Sequence, residues 1–159
     1  MIMSAGSEPE LVSLSPVPEA PITHVALTVS DLGRSIDWYT GLLGVAPAHV
    51  GAFLPDSPNA YRAAIWATPN LGLHCFDDAQ TQHFDPRRPG LDHLALHCAD
   101  RDELLRWQQR IDTLGYSRGD ILDERYGSGL AVFDPDGIAI ELFVPRSPNN
   151  RPSDTGGST

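Results

Sequence analysis

The sequence predicts an α+β domain made of two βαβββ modules. Three observations lead there: an internal repeat, strands of strict two-residue alternation that run into acidic helix starts, and an Asp-Pro-Asp-Gly turn between the last two strands of the second copy. The repeat is direct. Residues 22–44 read ITHVALTVSDLGRSIDWYTGLLG and residues 91–115 read LDHLALHCADRDELLRWQQRIDTLG; a shift of 69 residues superposes His24 on His93, Ala26 on Ala95, Leu27 on Leu96 and Asp31 on Asp100. A two-residue extension of the second helix then brings Leu43 and Gly44 onto Leu114 and Gly115. A half that cannot close its own core buries its apolar face against a copy of itself.

Each element follows from its pattern. The opening strand of each half alternates, then meets Ser30 and Asp31, or Asp100, whose short oxygens suit a helix N-cap. Ile36, Tyr39, Leu42 and Leu43, and Leu104, Leu105, Ile111 and Leu114, recur at the spacing of an amphipathic helix that stops at a glycine. Three further strands complete each half: residues 47–53, 61–66 and 71–76 in the first, 121–125, 128–133 and 138–144 in the second. The second half's last pair is joined by Asp134, Pro135, Asp136 and Gly137, the first half's by the weaker turn Thr68, Pro69 and Asn70.

These elements set the expected organisation: one domain over residues 22–145, with module 1 at 22–76, a polar linker at 77–90 and module 2 at 91–145. Residues 1–21 and 146–159 have too little apolar content to offset the entropy of ordering and are expected to be disordered tails.

Charge excludes several functions. The chain of 159 residues has a net charge of −10, and all 11 of its basic residues are arginine. Without lysine there is neither a Schiff-base nucleophile nor a P-loop. An acidic surface with no basic stripe argues against nucleic acid and anionic membrane as partners, leaving a small molecule or a protein. No apolar run approaches the roughly 20 residues of a spanning helix. Cys75 and Cys98 form no zinc or CxxC pair, and with no secretory signal a cytoplasmic location is expected.

The two H-x-A-L strands, the SDLGRSIDWYTGLLG helix and the DPDGIAIELF hairpin resemble the vicinal oxygen chelate superfamily, which groups glyoxalase I, extradiol dioxygenases, fosfomycin-resistance enzymes and bleomycin-sequestering proteins. The resemblance spans nearly all of residues 22–145. It implies the glyoxalase/bleomycin resistance/dihydroxybiphenyl dioxygenase-like fold with its two modules closing around a central cavity, a divalent metal held by the first and last strands of each module, and a homodimer.

Alternation supplies its own list of cavity-facing groups. His24, Ala26 and Thr28 share one face of their strand, and His93, Ala95 and His97 share the matching face; the aliphatic faces must meet the helices. By the same rule His74 and Glu141 face the hollow, and a shift of 67 residues superposes one on the other. The four candidate donors are therefore His24, His74, His93 and Glu141. In the superfamily pattern the opening positions are commonly His and the closing position of the second module is Glu, matching His24, His93 and Glu141. At His74 many glyoxalase-type members have Glu, so His74 is a fourth ligand, a hydrogen-bonding neighbour of the ligands, or a substrate contact.

A buried glutamate in a chain without lysine needs an arginine or a metal. Two imidazoles and a carboxylate form a facial triad that favours Fe(II), with Mn, Co, Ni and Zn as alternatives, and disfavours magnesium and calcium, which prefer oxygen-rich shells. His97 lies about 6.6 Å beyond His93 on the same face and is a candidate catalytic group for proton transfer or substrate binding, or a polar cavity wall. Tyr126 is a second candidate, reaching into the mouth of the cavity or packing as an aromatic. His49 and His83 receive no role.

The reading is a divalent-metal-dependent enzyme of the glyoxalase or extradiol dioxygenase type, acting on a small oxygen-rich substrate chelated by the metal. The alternative is a metal-free module that sequesters an antibiotic or aromatic ligand in a cavity lined by Phe76, Phe143 and Trp66.

Overall fold

The computed structural model describes residues 21–77 and 83–146; the remainder of both expected tails and residues 78–82 of the expected linker lie outside the described residues. The order of elements is β1 (Val25–Thr28), α1 (Leu32–Leu43), β2 (His49–Phe53), β3 (Tyr61–Trp66), β4 (Leu71–Phe76), β5 (His93–His97), α2 (Arg101–Leu114), β6 (Leu122–Glu124), β7 (Gly127–Phe133) and β8 (Ala139–Pro145). This is βαβββ twice. Both helices start as their sequences dictate: Asp31 Oδ1 accepts from the Arg34 N–H at 3.0 Å, and Asp100 Oδ1 from the Glu103 N–H at 2.8 Å. Both end at a left-handed glycine, Gly44 at φ +74° and Gly115 at φ +67°, a conformation that an added Cβ would penalise.

Each module forms its own four-stranded sheet, in the orders β1-β4-β3-β2 and β5-β8-β7-β6. The opening strand pairs in parallel with the closing one, and the remaining pairs are antiparallel. No ladder joins the two sheets among the described residues, so they form no closed barrel, and β1 and β5 are edge strands.

The helices cover one side of the sheets. Leu27, Val29, Leu73 and Trp66 from module 1 and Leu130, Ile140 and Leu142 from module 2 are buried in a single core with Leu42, Leu104 and Ile111 of the helices. Removing that apolar surface from water is the main stabilising contribution. Trp66 packs into this core, 1% exposed, with its indole N–H donating to the Val45 carbonyl at 2.9 Å, and it meets the cleft on the open face of module 1 only at that cleft's border. Strand parity explains the placement, since Trp66 shares its face with Ala64, which pairs with the core residue Leu73.

Polar clamps lock the modules together through the helix side. Arg110 Nε donates to the Leu42 carbonyl at 2.8 Å, placing a cation at the C-terminal end of α1. Trp38 and Tyr116 stack at 4.9 Å, and the Tyr116 hydroxyl donates to the Trp38 carbonyl. The turn between β7 and β8 reaches across to the start of α1, where Asp136 accepts from the Ser30 N–H at 2.9 Å, the Ser30 hydroxyl and Arg34. Beneath it, the Tyr39 hydroxyl donates to Asp134 Oδ2 at 3.1 Å.

Candidate functional site

The face of each sheet turned away from the helices collects the polar chemistry. Parity and register place His24, Ala26, His49, Phe53, Tyr61, Ile65, Gly72, His74 and Phe76 on that face of module 1. On module 2 they place His93, Ala95, His97, Gly129, Phe133, Glu141 and Phe143 there. Five of the six histidines in the chain are thus on the two open faces, and among the described residues no arginine is.

In module 2, His93 Nε2 lies 3.4 Å from Glu141 Oε2, while Nδ1 of the same ring lies 2.6 Å from Asp92 Oδ2. With Nδ1–H donated to Asp92, the lone pair of Nε2 is left facing the glutamate. Glu141 has no guanidinium within ion-pair distance among the described residues; the His93 imidazole is the group beside it. Room for its carboxylate comes from a missing side chain, because a Cβ at Gly129 would overlap Glu141 Oε1. His97 lies one pleat beyond Ala95, in register with Phe143, and Tyr126 is exposed in the β6–β7 turn with its ring 6.1 Å from Phe143.

Module 1 repeats the arrangement of the opening histidine: His24 Nδ1 lies 3.2 Å from the Thr23 hydroxyl, again engaged by the preceding residue. Its closing strand differs. Ala95 pairs with Glu141, and the equivalent Ala26 pairs with Gly72, while His74 pairs with Thr28. A shift of 69 residues, not 67, relates the paired strands, and the counterpart of Glu141 in the ladder is glycine. His74 instead leans back from the next pleat, its Nε2 3.5 Å from where a Gly72 Cβ would be. Its ring stacks on Tyr61 at 4.4 Å, and its pKa is lowered, first by burial and then by the charge of His24.

Around these groups a cleft of about 450 Å³ opens on module 1, bounded by His24, Ala26, Tyr61, Ile65, Gly72 and His74 among others. Asp92, Thr23, His49 and the two glycines were not singled out from sequence. Signals for them were present: each opening histidine follows a hydrogen-bonding residue, and His49 shares strand parity with Phe53.

The donors stand as two pairs, one per module. Among the described residues no group of three or more His, Cys, Asp or Glu is close enough to hold a metal. The donor chemistry fits a borderline divalent ion, since both opening imidazoles have Nδ1 engaged and the carboxylate has a cradle that a Cβ would fill.

Comparison with known proteins agrees with the fold. The family model for the Glyoxalase/Bleomycin resistance protein/Dioxygenase superfamily matches residues 21–142. A glyoxylase/bleomycin resistance protein/dioxygenase domain from Frankia sp. EAN1pec is 27% identical with a TM-score of 0.64, covering 81% of this chain and 100% of its own. Two more distant structures share the fold. Lactoylglutathione lyase from Agrobacterium tumefaciens is 19% identical with a TM-score of 0.54, over 80% of this chain and 96% of its own. A mutant of the fosfomycin-resistance protein FosX from Listeria monocytogenes, complexed with Mn(II) and 1S,2S-dihydroxypropylphosphonic acid, is 17% identical with a TM-score of 0.56, over 79% and 93%. No curated protein matches the chain. Among the described residues no helix is long and apolar enough to cross a membrane.

Proposed function

We infer that this chain, which belongs to the Glyoxalase/Bleomycin resistance protein/Dioxygenase superfamily, is a divalent-metal-dependent enzyme of the glyoxalase or extradiol dioxygenase type acting on a small oxygen-rich substrate. The observation behind the reading is the His93–Glu141 pair: an imidazole oriented by Asp92 beside a carboxylate that no arginine among the described residues neutralises. His24, His93 and Glu141 would hold the metal, with His74 as a fourth group reaching in from the next pleat. The Mn(II) in FosX makes metal use a family precedent; the donor set here also suits Fe(II), Co, Ni and Zn.

When bound, such an ion acts as a Lewis acid toward two neighbouring substrate oxygens. The chain's own groups do the rest. Asp92 and Thr23 fix the imidazole orientations, and His97 stands on the substrate-facing side as the group able to take or return a proton. Because the donor pairs lie on separate sheets, the complete site is proposed to unite module 1 of one copy with module 2 of another in a homodimer. Two free, buried cysteines are consistent with the proposed cytoplasmic location.

A second reading, metal-free sequestration of an aromatic ligand, draws on the rings of Phe53, Tyr61 and Phe76 on the open face of module 1. Metal analysis of untagged protein, followed by turnover of catechols, 2-oxoaldehyde hemithioacetals and epoxide antibiotics on Fe(II)- and Mn(II)-loaded samples, separates the two. The enzyme reading expects stoichiometric uptake and turnover of one class. Protein that takes up none of Fe, Mn, Co, Ni or Zn overturns it.

A further inference from the structure

The open face of module 1 has a feature that metal binding does not require. Phe53, Tyr61 and Phe76 form one row across β2, β3 and β4, the first two stacked at 5.3 Å and 9° and the last two tilted at 5.3 Å. His74 extends the stack from Tyr61, and His49 meets Phe53 edge-on at 5.6 Å. Beside this wall the floor is cut low by Ala26 and Gly72, and Ile65, 37% exposed, forms the opposite side. The cleft has room for a one- or two-ring ligand.

Its electrostatics narrow the ligand further. Among the described residues no arginine and no carboxylate borders the cleft, and the chain has no lysine to lend. A phosphonate or a glutathione carboxylate brought there would lose its hydration without a guanidinium or ammonium to replace it, which is costly. An uncharged ring loses only apolar hydration and gains contact with the Tyr61–His74 wall.

We propose that the cleft of module 1, free of metal, selects an uncharged planar aromatic ligand and discriminates against phosphonate- and glutathione-type anions. This deepens the proposed function by naming a substrate class, and it rests on that reading only for what happens after binding; the binding itself needs no metal.

The test uses the full chain treated with chelator, observed by NMR of backbone amides, with 2-naphthol, methylphosphonate and glutathione as probes. The expected result is that 2-naphthol shifts the signals of Ala26, Ile65 and Gly72 saturably while the two anions leave them unmoved. Tyr61→Leu is expected to weaken 2-naphthol about fivefold to tenfold. Ala26→Leu, which grows into the floor, is expected to abolish the shifts without altering the spectrum of module 2, which keeps the test independent of whether Tyr61→Leu folds. Absence of 2-naphthol shifts in the cleft, or shifts by either anion at equal or lower concentration, overturns the proposal. A parallel Mn(II) titration read by electron paramagnetic resonance reports on the enzyme reading alone: failure to bind Mn(II) with 2-naphthol binding retained sinks that reading and upholds this one.

Discussion

At the scale of single residues, the two opening histidines owe their orientation to the residue just before each. Asp92 is the more consequential, because an anionic acceptor at 2.6 Å from His93 Nδ1 both fixes the tautomer and makes Nε2 a stronger donor. Asp92→Ala is therefore expected to weaken Mn(II) binding by about 10- to 100-fold. Asp92→Asn, whose amide oxygen can still accept from Nδ1–H, should lose less. The melting temperature should hardly move in either, since the Asp92 side chain is 73% exposed. Titrating both variants with Mn(II) checks this; equal affinities for wild type and Asp92→Ala would remove Asp92 from the site. The histidines and Glu141 were legible in the sequence because alternation assigns side chains to faces without any knowledge of tertiary structure. Asp92 and Thr23 are visible in the sequence as hydrogen-bonding residues before each histidine, but whether they engage the next ring depends on side-chain rotamers that no period records.

At the scale of elements, what could be read and what could not divides by the range of the interaction. Both helix starts at Asp31 and Asp100 and both stops at Gly44 and Gly115 follow local chemistry, and the structure has them where the pattern puts them. The parallel register between opening and closing strands depends on how helix and hairpin return the chain, so His74 could be assigned its face but not its row. The turn between β7 and β8 joins local and distant roles. Asp134 caps it by accepting from the Asp136 and Ile138 N–H groups, yet only 5% of the residue is exposed. Burial raises its pKa, and the donated hydrogen bonds oppose that only in part. A raised folded pKa means that the stabilising contribution is full below the unfolded value of about 4 and is lost as pH rises through the folded value. Asp134→Asn keeps an oxygen for the turn amides and removes the titration. The melting temperature of wild type minus that of Asp134→Asn is thus expected to fall as pH rises from about 4 to 7. A difference that grows in favour of wild type over that range would mean that the turn's hydrogen bonds outweigh burial.

At the scale of the whole molecule, one fact organises the rest: the modules adhere through their helices, through Arg110, Tyr116 and the Asp136 clamp, and leave both donor-bearing faces outward. Those faces also expose Leu122 and Phe133, apolar groups better suited to a second copy than to water. Duplication then yields two half-sites per chain, and two chains would yield two whole ones. Mixing decides whether they do. Glu141→Ala disables module 2, and His24→Ala disables module 1, so either homodimer has both of its shared sites damaged. In a heterodimer of the two variants, one site receives both lesions and the other receives neither. Co-expression of the two chains is therefore expected to restore tight Mn(II) binding in roughly a quarter of all sites, given random pairing. If His24 and Glu141 acted within one chain, every site in the mixture would retain one lesion, and co-expression would restore nothing.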